Sequence, residues 1–81
     1  MKLLATSATR KEDIGLLEAR ITLRQFGSEE FVTHLEVQNE DGTWNQNHGN
    51  YYDNPWSAFD SFRERTLTLL YLGKVKDRRR A

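Results

Sequence analysis

The sequence predicts a small α+β domain: an antiparallel β-meander of three or four strands with one C-terminal α-helix packed on one face. Three observations carry that prediction. Leu17, Ala19, Ile21 and Leu23 alternate with Glu18, Arg20, Thr22 and Arg24, the period of a strand with one wet face. Phe31, Thr33, Leu35 and Val37 alternate in the same way with Val32, His34, Glu36 and Gln38. Asn54, Pro55 and Gly73 then bracket a stretch of helical periodicity, as N-cap, first helical residue and C-terminal cap.

At the N-terminus, residues 2–9 read as a strand beside residues 17–26, with a turn near Asp13-Ile14-Gly15. Thr9-x-x-Glu12 offers the other reading, a capping box that opens a short helix. The strand is expected because the free edge of a meander needs a partner. Gly27-Ser28 marks a hairpin between the next two strands. Setting Ile21 beside Leu35 and Ala19 beside Val37 requires an odd loop, three or five residues long. A two-residue Gly27-Ser28 turn would pair Leu23 with Val32 and turn the second strand inside out.

Asp41-Gly42 signals the next turn. A two-residue turn there sets Trp44 beside Asn39, on the face of Leu35 and Val37, covering the edge of the core. A third strand is expected from Thr43 to about His48, although Asn45, Gln46 and Asn47 are weak strand formers. On the helical wheel, Trp56, Ala58, Phe59, Phe62, Thr66, Leu67, Leu69 and Leu70 fill one half. Ser57, Asp60, Ser61, Glu64, Arg65 and Thr68 fill the other, and Arg63 sits near the edge shared with Trp56 and Leu67. The expected core is Ile21, Leu23, Leu35, Val37, Phe59, Phe62, Leu69 and Leu70.

Eighty-one residues make one domain, expected over residues 1–73. The formal net charge of zero divides unevenly. Residues 1–73 hold seven Lys/Arg and eleven Asp/Glu, a net of −4, whereas residues 74–81 hold five Lys/Arg and one Asp, a net of +4. Lys74, Lys76, Arg78, Arg79 and Arg80 therefore form a basic tail, either a solvated flexible end or an electrostatic arm for phosphate or an acidic partner.

Several chemistries are not expected. The absence of cysteine excludes disulfides and thiolate sites. The longest apolar run, Leu69 to Leu72, is far too short for a membrane span, and Leu3-Leu4-Ala5 is too short for a signal-peptide core, which leaves the cytoplasm as the default location. No phosphate-binding loop, dinucleotide fingerprint, nucleophile elbow or HExxH occurs. His34 and His48 are expected on opposite faces of neighbouring strands, with His34 solvated, so no shared metal is expected. Neither a cofactor nor a catalytic residue is assigned.

The segment from Asn39 to Trp56 carries five Asn, His48 and the aromatics Trp44, Tyr51, Tyr52 and Trp56. As a connector, it would use its aromatics as a lid on the core. As a recognition patch, it would use Tyr and Trp as rigid contact area and Asn as adaptable hydrogen-bonding groups. The candidate partner-binding residues are Asn47, His48, Asn50, Tyr51, Tyr52, Asp53 and Trp56. Tyr51 and Tyr52 are adjacent, so one ring turns outward; the chain between Asn47 and Asn50 resets the count that would say which.

The reading these features favour is a non-enzymatic protein-binding module. The alternative is a nucleic-acid binder using the Arg-rich tail and the loop aromatics for stacking. Against it, Glu18 and Glu36 interrupt any basic stripe formed by Arg20 and Arg24. A homodimer through an Asn/Gln-rich edge strand is a further expectation. In length and architecture, not in any residue motif, the chain resembles accessory proteins of phages, plasmids and gene cassettes. Some of these, anti-CRISPR inhibitors among them, are small α+β domains that block a host protein. That resemblance implies an inhibitor of a nucleic-acid-handling protein.

Overall fold

The computed structural model describes residues 1–11 and 17–72. The predicted turn at residues 13–15, the capping-box alternative through Glu12, the Gly73 cap and the basic tail all lie outside the described residues. Within them the chain is an α+β fold: an antiparallel sheet of β1 (Lys2–Thr6), β2 (Arg10–Lys11), β3 (Glu18–Gly27), β4 (Glu30–Gln38) and β5 (Trp44–Tyr52), then α1 (Pro55–Leu67). The sheet order is β1-β3-β4-β5, with the short β2 also on β3. The expected N-terminal strand is therefore present, paired along β3.

β3 and β4 adopt the predicted register, Ile21 opposite Leu35 and Ala19 opposite Val37. A two-residue turn at Ser28-Glu29 closes the hairpin, and a bulge at Phe26 supplies the extra residue that restores the odd count. The β4–β5 connection is longer than expected. Gln38, not Asn39, lies opposite Trp44, and five residues intervene. Asn39 N–H donates to Thr43 O at 2.6 Å, the Asp41 carboxylate accepts from Thr43 N–H at 2.9 Å, and Gly42 takes the positive φ the turn requires. One residue of slip turns Trp44 to the other face, so it does not cover the core.

β5 also runs further than expected, through Tyr51 and Tyr52, because a bulge at His48-Gly49 opposite His34 lets pairing resume. His48 takes the left-handed conformation there, φ 50°. A Cβ on Gly49 would lie 2.9 Å from His34 Nε2, so glycine is what permits this close approach.

Asn54 caps α1, its Oδ1 accepting from Ser57 N–H at 2.9 Å, with Pro55 at the first turn. At Thr68 the winding loosens into a π-helical turn, Thr68–Leu72, where Thr68 Oγ1 donates to Glu64 O. Helical residues thus span the predicted length. Ala19, Ile21, Leu35 and Leu69 form one buried cluster, Leu23, Phe31 and Ala58 another, and Phe62 packs against both.

The helix is rotated relative to the expected apolar centre. Phe59 is 46% exposed and Trp56 75%, while Val37, Phe62 and Leu70 are half-buried. Ser61 and Arg65, expected on the outer half, face the sheet instead. Ser61 Oγ lies 3.0 Å from Thr33 Oγ1, and Arg65 donates to Thr33 O, Thr33 Oγ1 and the His48 carbonyl at 2.8–3.1 Å. The polar groups of β4 and the bulge need donors, and meeting that need sets the rotation.

Candidate functional site

Tyr51 and Tyr52 end β5, opposite Val32 and Phe31. Strand alternation sends them to opposite faces. Tyr52 turns to the helix side and packs on the cluster of Leu23, Phe31 and Ala58. Tyr51 turns to the open face, 67% exposed, stacked on Phe26 with ring centroids 6.1 Å apart and edge-on to His34. The two tyrosines, Asp53, Phe26, Phe31, Glu29 and Glu30 line a shallow open concavity where the β3–β4 turn meets the end of β5. Four aromatic rings and three carboxylates thus meet at one corner.

Of the candidates read from the sequence, Tyr51, Tyr52 and Asp53 come together at this corner. Asn47 and Asn50 lie along β5 opposite Leu35 and Thr33, and His48 sits in the bulge, all three exposed. Trp56 is in the first turn of α1, exposed rather than part of a core lid. Phe26, Glu29, Glu30 and Phe31 were missed. Their signal was register: the hairpin that places Phe31 across from Tyr52 carries its turn acids to the same corner.

The backbone of β5 is the more open feature. β5 is an outer strand of the sheet, exposed from Asn45 to Tyr51, and it carries neither proline nor an acidic or basic side chain other than His48. Lysine and proline are common means of blocking an edge against strand addition, and neither is present. The bulge at His48-Gly49 divides the edge into two regularly paired stretches, residues 44–47 and 50–52.

The face of the sheet away from α1 has a different character. Glu36, 1% exposed, accepts from Arg20 Nε at 2.8 Å, Arg24 Nη1 at 2.7 Å, Gln46 Nε2 at 3.1 Å and Thr22 Oγ1 at 3.2 Å. Burial alone would raise its pKa; the hydrogen bonds from Arg24, Arg20 and Gln46 outweigh that and hold it below the usual glutamate range. Arg20 also lies over the Trp44 ring, 4.0 Å from its centroid. Contrary to expectation, His34 is not solvated: it is 8% exposed, and its Nδ1 has no hydrogen-bond partner. Burial, then the charge of Arg24, lower its pKa against the opposing pull of Glu36.

Among the described residues, no cluster of three or more His, Asp or Glu side chains is placed to hold a metal, and no helix is long and apolar enough to cross a membrane. No protein-family model, curated protein or solved structure matches this chain.

Proposed function

We propose that this chain is a non-enzymatic protein-binding module that receives a segment of its partner along the β5 edge, with Tyr51 as the anchoring ring. The observation that carries this reading is the outer edge of β5, free of proline, lysine, arginine and acidic side chains, leading into the aromatic–acidic corner. An extended segment laid on such an edge gains backbone hydrogen bonds, while alternate side chains reach the pockets beside it. Glu29, Glu30 and Asp53 at the corner favour a partner with basic residues there. An accessory or inhibitor protein would act in this way by occupying a surface its partner needs.

The nucleic-acid reading has less support. Arg20 and Arg24 share the single carboxylate of Glu36, so that cluster carries a net charge of about one in place of a basic stripe.

The test begins with affinity capture from the native host and then titrates the recovered partner. Tyr51→Ala is expected to weaken binding by about 1–3 kcal/mol, and Asn47→Lys by a similar amount through obstruction of the edge. Both variants should melt near the parent, whereas Tyr52→Ala should melt lower because its ring packs on the core. Full affinity in both Tyr51→Ala and Asn47→Lys would refute the site.

A further inference from the structure

A second exposed surface lies on α1, on the side away from the sheet. At 3.6 residues per turn, Trp56, Asp60, Arg63 and Leu67 fall within an arc of about 60°, roughly opposite Ala58. Trp56 is 75% exposed and Leu67 44%, and the side chains of Asp60 and Arg63 are 78% and 73% exposed. Along the helix the stripe reads apolar, acid, base, apolar, at spacings of four, three and four residues. Those are the spacings of a helix–helix seam. They are also symmetric about the point midway between residues 60 and 63, so the stripe complements its own reversed copy.

We propose that α1 pairs antiparallel with α1 of a second copy, across a two-fold axis between residues 60 and 63. Trp56 of each copy then meets Leu67 of the other, and Asp60 of each meets Arg63 of the other. Within the chain, Asp60 and Arg63 approach only to 4.0 Å, at the limit of an ion pair, so both charges can turn to a partner. A parallel pairing would set Asp60 against Asp60 and Arg63 against Arg63, which selects the antiparallel arrangement. The two-fold also brings the Phe59 flanks of both helices to one side of the seam, adding apolar area. α1 has 13 residues, a length of about 20 Å. The contact is therefore smaller than the roughly 800 Å² per partner of a standard interface, and the dimer is a weak one.

Sedimentation equilibrium over roughly 1 μM to 1 mM, the range suited to a weak interface, reads the association. The parent should show a monomer–dimer equilibrium. Asp60→Arg and Arg63→Asp should each weaken self-association at least about tenfold, a change of 1.4 kcal/mol. Mixed one to one, these two variants present two cations against two anions and should recover the association. The double variant Asp60→Arg/Arg63→Asp should recover it alone. Circular dichroism confirms that each variant is folded, as the exposure of both sites leads one to expect. A chain that stays monomeric throughout overturns the proposal. So do folded single variants that fail to associate when mixed, and so does a dimer indifferent to Arg63→Asp, which would belong to the β5 edge.

Discussion

Glu36 and His34 share one face of the sheet and are held in different charge states, yet both withdraw stability as pH falls. Glu36 is held charged by Arg24, Arg20 and Gln46, with its pKa below the ordinary value near 4.5. His34 is held neutral by burial and by the charges of Arg24 and Arg65, with its pKa below 6.5 despite Glu36. As pH falls through 6.5, the unfolded chain takes up a proton that folded His34 refuses. The histidine contribution is therefore constant above 6.5 and is lost below it, at a slope of up to about 1.4 kcal/mol per pH unit. The Glu36 contribution persists until pH falls below about 4.5 and is lost beyond that. Urea unfolding at intervals from pH 7.5 to 3.5 should resolve both steps, with His34→Gln flattening the first. Strand parity in the sequence places Arg20, Arg24, His34 and Glu36 on one face. It does not indicate that long side chains close over that face in place of a second helix, and so His34 reads there as solvated.

At the scale of elements, what was legible is whatever repeats. The alternation of β3 and β4 repeats over eight residues each, so the strands, their register and the face of Ile21 and Leu35 follow from the sequence. Single insertions do not repeat. The bulge at His48-Gly49 and the five-residue β4–β5 loop each change the count by one, and that parity decides the faces of Trp44, Tyr51 and Tyr52. The rotation of α1 was hidden for another reason: hydrophobicity locates the apolar half, but Arg65 and Ser61 are drawn inward by Thr33 and the His48 carbonyl. As a result, Phe62 is the large helical ring that touches both core clusters, although half-buried. Phe62→Ala is expected to cost about 2–4 kcal/mol, toward the lower end for a large-to-small core change, and Phe59→Ala under about 1 kcal/mol. Equal loss for the two in chemical denaturation would mean that the helix sits in the rotation expected from its wheel.

Over the described residues the molecule is a slab, 37 × 34 × 17 Å, its short axis close to one helix laid on one sheet. Such a shape keeps nearly every side chain near solvent, and most of the fully buried ones belong to β3 and β4. Among the described residues these two strands are hydrogen-bonded on both sides, whereas β5 has a neighbour on one side alone. In native-state hydrogen–deuterium exchange, this position gives the backbone of β3 and β4 a separate clock. Their amides at Ile21, Leu23, Thr33 and Leu35 should exchange last, through global unfolding, while those of β5 that point away from β4 exchange within the dead time of dilute protein. A ligand seated along β5 would convert those fast amides into slow ones without touching the rest. The free edge is thus a built-in reporter, and its exchange would map strand addition residue by residue before any complex is crystallised.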